Sequence, residues 1–279
     1  FATHDSMGRV GFFRQKEVDI NFLCGTNCLN SSMLLHRQWN VGVMSSMFMT
    51  KSIPLGVGWG LYEGAPDRYT CWLLKKLICK DNYCSVRDSY SLNYLKKAGV
   101  EKSILTACPT MWGLTSEHCK AIPIEKSENV VFTLTDYRAD FSNDKLLLEI
   151  LIQSYKKIYF WPQGSHDLVY LVSLDVDILK KVKLISPNLL SYDNCLKKDE
   201  SIDYIGTRLH AGIRAMQFKR RAVIIGVDNR AIEKKIDFNL TVVDRKDIKT
   251  KLKDVLVANI VNDINLPLRN IDKWKSQFI

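Results

Sequence analysis

The feature that most constrains the fold is a regular alternation of short apolar runs with helical segments from about Asn129 onward. The runs are rich in Val, Ile and aromatic residues, as buried strands are, and the segments between them carry Leu and Ile at helical spacing. Strands that alternate with helices in this way predict βαβ units, and therefore a mostly parallel sheet with helices on both faces. The expected strands begin at Val130, Ile158, Val182, Asp203, Ala222 and Leu240.

The first part of the chain has a less regular version of the same pattern. Its apolar runs are short, and glycines interrupt them or follow them closely. Two segments with helical spacing lie among the runs, so the fold class expected here is again α/β. The expected strands are residues 20–23, 53–58 and 83–86, and the expected helices are residues 69–77 and 91–97.

A break in the pattern predicts the domain boundary. Polar residues and Pro123 interrupt the periodicity over residues 116–126. The chain is thus predicted to form two α/β units that face each other, residues 1–119 and residues 120–279. Because the chain begins at Phe1 rather than at a methionine, we expect the first unit to lack part of its start.

The net charge of +10, from 40 Lys and Arg residues against 30 Asp and Glu residues, is spread over both predicted units. A nucleic-acid-binding protein usually concentrates its basic residues in a stripe or a tail. The densest basic cluster here is Lys219-Arg220-Arg221, which we interpret as a solvated turn between two elements. The evenly spread excess of basic residues argues against nucleic acid as a partner. It favours an anionic small substrate or a loose attraction to an anionic membrane surface.

The eight cysteines form neither a CxxC pair nor two pairs at the spacing of a zinc site. A disulfide framework is typical of small secreted domains, whereas this chain is large and has no recognisable signal peptide. We therefore expect free thiols in a reducing cytoplasm, and no bound metal. No apolar run approaches the ~18 residues of a membrane-spanning helix, so we expect a soluble protein.

Two segments place an arginine between the end of an expected strand and the start of an expected helix. Arg87 follows the strand at residues 83–86, and Arg208 follows the strand that begins at Asp203. In an open parallel sheet, ligands bind at the carboxyl ends of strands, beside helix N-termini that favour anions. An arginine there adds a forked donor suited to phosphate or carboxylate. Both segments therefore predict anion binding.

A purely structural role is the alternative for each of these residues. Asp88 and Thr207 can simply cap the helices that follow them. Arg87 and Arg208 can pair with carboxylates across the cleft between the predicted domains. A histidine in the first turn of a helix, such as His210, is more often hydrogen-bonded within the fold than catalytic. The functional interpretation gains support because two such segments occur, one in each predicted unit.

In combination these segments resemble those of the polysaccharide pyruvyl transferases. Ser85-Val86-Arg87-Asp88-Ser89-Tyr90-Ser91 is similar to that family's R-D-x-x-S segment, and Gly206-Thr207-Arg208-Leu209-His210-Ala211 to its G-x-R-x-H-A segment. Ala107-Cys108-Pro109-Thr110 and Ile225-Gly226-Val227-Asp228 fall where the family has two further strand ends. The order and spacing of the four segments agree over nearly the whole chain.

Three departures accompany this resemblance. Arg230 stands where many members have a lysine, which keeps the charge and changes the geometry. The glycine-rich loop usual after an early strand is reduced to Gly25, and the Asn-x-Gly-Asp segment expected near the start is not evident.

The resemblance implies two Rossmann-like domains that face each other across a cleft, as in the GT-B glycosyltransferases. It also implies an enzyme that transfers the enolpyruvyl group of phosphoenolpyruvate to two hydroxyls of one sugar, which forms a pyruvate ketal and releases phosphate. No cofactor other than this co-substrate is implied. The expected ligands of phosphoenolpyruvate are Arg87, Arg208 and Arg230, and His210 is the expected acid or base. The expected supporting residues are Asp88, Ser91, Thr207, Asp228 and Gly25.

The resemblance further implies a place in surface-polysaccharide synthesis, on the cytoplasmic side and peripheral to the inner face of the membrane. The acceptor would be a lipid-linked or nucleotide-linked sugar. Two other functions stay open on the residues alone, because a fold hosts many activities. One is a glycosyltransferase that uses a nucleotide sugar, and the other is a non-catalytic protein that binds an anionic glycan.

Overall fold

The computed structural model of the chain describes residues 2–5 and 8–279. They divide into two compact units. The first comprises the residues up to Trp112 together with Leu266–Ile279, and the second is Gly113–Asn265. None of the helices in the described part of the chain has the length and apolar character needed to span a membrane.

The described residues of the first unit form four short parallel strands and four helices ahead of its C-terminal segment. The strands are β1 (Asn21–Cys24), β2 (Ser52–Leu55), β3 (Cys84–Val86) and β4 (Ser103–Leu105). β1 pairs with β2 and β3 pairs with β4, and a bridge between Val57 and Val86 joins the two pairs. The helices are α1 (Arg9–Lys16), α2 (Val43–Phe48), α3 (Arg68–Leu77) and α4 (Ser89–Lys97).

The second unit contains six strands and seven helices in its described sequence, with short 3₁₀ and π turns between them. Its strands are β5 (Asn129–Thr133), β6 (Lys157–Phe160), β7 (Lys183–Leu184), β8 (Ile202–Gly206), β9 (Ala222–Gly226) and β10 (Val242–Asp244). Its helices are α5 (Ser116–Lys120), α6 (Phe141–Ser154), α7 (Asp167–Leu174), α8 (Leu189–Lys198), α9 (Leu209–Gln217), α10 (Asn229–Phe238) and α11 (Lys253–Val257).

All six strands of the second unit form one parallel sheet in the order β10-β9-β8-β5-β6-β7. This is the strand order of a doubly wound Rossmann fold, in which the order along the sheet reverses between the central strands β5 and β8. Every residue of β5, β8 and β9 is buried, which explains why these strands are mostly apolar in the sequence, with Asp203 of β8 as a buried charged residue. The predicted α/β class with parallel sheets is confirmed, whereas the facing of two domains across a cleft stays a prediction.

The C-terminal segment belongs to the first unit, although the predicted division assigned it to the second. Helix α12 (Leu268–Lys275) lies beside β4, and the Asn270 side chain donates to the carbonyl of Leu105 at 2.9 Å. The Trp274 ring packs against Phe22 and Trp112, with centroids 6.1 and 5.8 Å apart. Aromatic burial at a distant place in the sequence therefore decides where this helix lies.

The cluster Lys219-Arg220-Arg221 differs from the solvated turn that we expected. Arg221 is fully buried, and its guanidinium donates to Asp203 at 2.9 Å. The same group donates to the carbonyls of Val255, Leu256 and Ala258 at 3.0, 2.9 and 3.1 Å. It therefore anchors the end of α11 to the amino ends of the central strands, as a structural group rather than a surface charge.

Candidate functional site

Arg208 lies at the carboxyl end of β8, where α9 begins, next to the point at which the strand order reverses. Its Nη2 donates to both carboxylate oxygens of Asp167, at 2.7 and 2.8 Å, and lies 3.4 Å from Asp136. Its Nε donates to the carbonyl of Leu134 at 3.0 Å. Arg208 Nη1 has no hydrogen-bond partner among residues 2–5 and 8–279, and the side chain is 13% exposed. The pairing with a carboxylate occurs within the second unit, and one edge of the guanidinium stays available.

Asp167 orients Arg208 and is itself held by three backbone N–H groups. Gly164 and Gln163 donate to one oxygen at 2.7 and 2.9 Å, and Asp136 donates to the other at 3.2 Å. Burial raises the pKa of this carboxyl, but the hydrogen bonds from Gly164, Arg208 and Gln163 outweigh burial and hold its pKa below the usual value. Asp167 is therefore a charged partner that fixes the direction of the guanidinium.

Gly164 is required by the close approach of these groups. A Cβ at this position would lie 2.8 Å from Nη2 of Arg208 and about as close to the carboxylates of Asp136 and Asp167. The segment Trp161-Pro162-Gln163-Gly164 therefore forms the turn that brings Asp167 to Arg208.

Arg230 and Asp228 form a second pair at the carboxyl end of β9. Asp228 caps α10 by accepting from the N–H of Arg230 at 2.9 Å. Nε and Nη2 of Arg230 donate to the other carboxylate oxygen at 2.9 and 2.6 Å. Burial lowers the pKa of Arg230, but the hydrogen bond and the charge of Asp228 outweigh burial and raise it above its usual value. Arg230 is a fixed cation with 28% of its side chain exposed.

Tyr137 lies between the two arginines and brings them into one group. Its ring centroid is 5.0 Å from Cζ of Arg208, and its hydroxyl is 3.5 Å from Nη2 of Arg230. A cation over an aromatic face is attracted by the negative face of the ring. The structure therefore joins two of the predicted arginines through a tyrosine that sequence reasoning did not single out.

His210 and Thr207 flank Arg208 and differ in exposure. His210 lies in the first turn of α9 with its side chain exposed. Thr207 is buried, and its hydroxyl shares a 2.8 Å hydrogen bond with Thr135. Thr207 does not cap α9, whose N-cap residue is Arg208 and which has no side-chain cap. Asp88 and Asp228 cap α4 and α10 with a carboxylate, whereas the first N–H groups of α9 have no such cap.

Arg87 is the predicted site residue of the first unit, and it lies between β3 and α4 with 4% exposure. Its Nε donates to Asp88 at 3.1 Å, and Asp88 caps α4 by accepting from the N–H of Ser91 at 2.7 Å. Nη2 of Arg87 is buried and has no hydrogen-bond partner in the described part of the chain. A buried guanidinium donor without a hydrogen-bond partner is a place where an anion is stabilised.

Two neighbours of Arg87 define its surroundings. Gly58 lies directly against the guanidinium, because a Cβ there would be 2.1 Å from Cζ of Arg87. Burial raises the pKa of the Cys28 thiol to about 12, although the charge of Arg87 opposes this change. Cys28 is therefore a neutral neighbour and gives Arg87 no negative partner.

The remaining predicted residues of the first unit have structural contacts. Ser91 accepts a hydrogen bond from the N–H of Trp59 at 2.7 Å. Gly25 allows the loop after β1 to approach the end of β2, because a Cβ there would lie 2.5 Å from the carbonyl oxygen of Gly56. Ala107, at the carboxyl end of β4, has a left-handed backbone with φ of 62°, a strained conformation that is common near binding sites.

Sequence reasoning did not single out Asp167, Tyr137 or Gly58 as site residues. Tyr137 and Gly58 follow the ends of β5 and β2, and Asp167 begins the helix after β6, so the carboxyl-end rule was a signal that pointed to them. Their partners are far away in sequence, and only the folded chain reveals the pairing. In the part of the chain that the structure describes, no group of three or more His, Cys, Asp or Glu residues is arranged to hold a metal ion.

The fold and these residues define a mixed α/β protein whose arginines lie at the carboxyl ends of parallel strands, a place suited to an anionic ligand. Residues 22–229 match the sequence model of a family described as polysaccharide pyruvyl transferase. The chain belongs to that family, as its segments predicted. No curated protein matches the chain.

Two solved structures have a similar fold. The UDP-GlcNAc 2-epimerase of Methanocaldococcus jannaschii, solved with UDP-GlcNAc and UDP, has a TM-score of 0.51 and 14% identity, over 85% of this chain and 70% of its own. MnaA of S. aureus, solved with UDP, has a TM-score of 0.50 and 10% identity, over 96% of this chain and 77% of its own. At such identities the likeness concerns the fold alone.

Proposed function

We propose that the chain transfers the enolpyruvyl group of phosphoenolpyruvate to a sugar of a surface polysaccharide and forms a pyruvate ketal. Its family supports a role as a transferase in polysaccharide modification. The donor, the ketal and the acceptor, which we take to be lipid-linked or nucleotide-linked, are parts of this proposal that go beyond the family. The observation that carries it is the start of α9, where an uncapped helix N-terminus, the open edge of Arg208 and the exposed His210 occur together.

The donor carries a phosphate and a carboxylate, and each unit by itself offers a cation suited to such an anionic group. Arg208 and Arg230 lie in one group around Tyr137, and Arg87 supplies an unpaired Nη2 in the first unit. Each arginine is also bonded to an aspartate, which fixes the direction of its guanidinium before the ligand arrives. Preorganised donors lose little free energy to reorganisation when they bind an anion.

The uncapped N-terminus of α9 supports the binding of the donor's phosphate group at this helix. Backbone N–H groups at a helix start point at the ligand, and the helix dipole favours negative charge there. Because Asp88 and Asp228 already cap α4 and α10, those helices have a carboxylate where a phosphate would otherwise bind. We therefore assign the phosphate to α9 and Arg208.

His210 is the proposed proton-transfer group. In the overall reaction two C–O bonds of the ketal form and the C–O bond to the phosphate breaks. Of the two protons that the sugar hydroxyls lose, one goes to the methylene carbon of the donor and the other leaves with the phosphate. An exposed histidine beside the anion site can accept a proton from an attacking hydroxyl or donate one to the methylene carbon.

The test is calorimetric titration with phosphoenolpyruvate, beside uridine and guanosine diphosphate sugars, combined with a turnover assay for released phosphate. His210→Ala should keep phosphoenolpyruvate binding and lose turnover by roughly 100-fold or more. Arg87→Gln should weaken binding by roughly tenfold or more. The control is Arg214→Gln. Arg214 lies on the same helix as His210, but it pairs with Asp193 at 2.7 Å and is not one of the proposed ligands of the donor.

Three outcomes would contradict the proposal. Turnover that survives in His210→Ala removes the proposed role of the histidine. Binding of a nucleotide sugar without phosphoenolpyruvate indicates glycosyl transfer, and binding of an anionic glycan without turnover indicates a non-catalytic protein. Arg208→Ala is less informative than Arg87→Gln, because it also leaves the buried carboxylate of Asp167 without its partner.

A further inference from the structure

Helices α1 and α2 present an exposed apolar surface that the proposed reaction does not use. Phe13 and Met47 are 68% and 60% exposed, although side chains of this size are usually buried. A soluble protein seldom leaves such residues together at its surface without a binding role. We call this surface the α1–α2 face. Its residues are Val10, Phe13, Val43, Met44, Met47 and Phe48.

The two helices form one continuous surface. The rings of Phe12 and Phe48 meet edge to face, with their centroids 6.0 Å apart. Thr50, just after α2, donates its hydroxyl hydrogen to the carbonyl of Gln15 in α1 at 3.0 Å. The exposed apolar side chains of both helices therefore belong to the same patch.

The charges around this face are mostly positive. Arg9 and Arg14 lie on α1, Lys51 follows α2, and all three are exposed. The exposed acidic residues Glu17 and Asp19 follow the end of α1. No Asp or Glu occurs in the sequence between Asp19 and Glu63, a stretch that includes the whole of α2. Apolar side chains flanked by basic ones fit the boundary between the headgroups and acyl chains of an anionic bilayer. A second copy of this chain on the same face would instead bring like charges together.

We propose that the α1–α2 face docks reversibly on an anionic membrane surface. Phe13 and Met47 enter the boundary of the acyl chains, while Arg9, Arg14 and Lys51 lie at the level of the anionic headgroups. This inference goes beyond the proposed function and is tested without any substrate, so either can fail while the other stands. The proposal names a specific face and an anionic lipid surface, rather than the general attraction of a basic protein to anionic membranes.

The test is sedimentation of the full chain with phosphatidylcholine vesicles, with and without about one third phosphatidylglycerol. We expect binding to the anionic vesicles that weakens as the salt concentration rises. Phe13→Ser with Met47→Ser should weaken binding by roughly tenfold or more, and Arg14→Ser by roughly fivefold. The matched control replaces exposed apolar residues of the second unit, Val169→Ser with Leu190→Ser, and should bind as the original chain does.

Equal binding to neutral and anionic vesicles, or equal binding by the Phe13 and Met47 variant and its control, would overturn the proposal. So would a dimer in light scattering that the same variant dissociates while vesicle binding is absent, because the face would then hold a second copy. The replaced side chains are exposed, so we expect both double variants to fold, and circular dichroism checks this.

Discussion

Replacing Gly58 with alanine tests whether the position of the Arg87 guanidinium determines donor binding. A Cβ at residue 58 would lie 2.1 Å from both Cζ and Nε of Arg87 and 2.4 Å from Nη2. Since ordinary contacts begin at 3.4 Å, the guanidinium has to shift by roughly 1 Å or more. Arg87 is 4% exposed, so the shift also disturbs its neighbours. Overpacking of this kind costs about 1–3 kcal/mol of unfolding free energy.

The functional loss should exceed what the stability loss explains. A misplacement of about 1 Å in a binding group can cost roughly 100-fold in rate. We therefore expect Gly58→Ala to stay folded, to weaken phosphoenolpyruvate binding by roughly tenfold and to lower turnover by roughly 100-fold. Calorimetry, the phosphate-release assay and urea unfolding measure the three quantities.

The matched control is Gly60→Ala, two residues further along. A Cβ at Gly60 would meet the carbonyl oxygens of Asn27 and Leu29 at 3.4 Å, which is an ordinary contact distance. This variant should bind phosphoenolpyruvate as the original chain does. If Gly58→Ala folds and binds the donor within about threefold of the original affinity, the reasoning about Arg87 is refuted.

Three further predictions concern the second unit. Arg221→Met should lower the unfolding free energy measured in urea by about 3–5 kcal/mol, because it leaves the buried carboxylate of Asp203 without its cationic partner. A loss below about 1 kcal/mol would contradict this. The pKa of Asp167 is lower than in the unfolded chain, so its stabilisation is present above about pH 4 and lost as the pH falls through the folded pKa. The stability gap between the original chain and Asp167→Asn should therefore narrow in acid, and a gap independent of pH would count against the ion pair. Thr207→Val should cost about 1 kcal/mol through the lost bond to Thr135 and leave donor affinity unchanged, as calorimetry would check.

The predictable part of the candidate site was the placement of its arginines. Arg87, Arg208 and Arg230 each follow a strand that the sequence pattern predicts, so their place at a carboxyl end could be predicted as well. The partners of these arginines were harder to predict. Asp88 and Asp228 are close in the sequence to the arginines that they bind, whereas Asp167 is 41 residues from Arg208 and was not predicted.

The local sequence pattern also led to wrong predictions about the surroundings of Arg221 and Thr207. Lys219-Arg220-Arg221 has the composition of a surface turn, and a charge is normally solvated. Arg221 is nevertheless buried, because Asp203 and three carbonyls at the end of α11 together supply its hydrogen bonds. Thr207 was a reasonable cap by position, but Thr135 on the neighbouring segment takes its hydroxyl.

The sequence by itself determined the α/β class, the parallel pairing in the second unit and the family, since these depend on periodicity and on short segments that are continuous in the chain. Only the tertiary structure decided which carboxylate holds Arg208, that Tyr137 joins it to Arg230, and that α12 packs with the first unit. These features depend on contacts between residues far apart in the chain. Hydrogen bonds and packing of that kind form only when the strands and helices are assembled, so no local pattern encodes them.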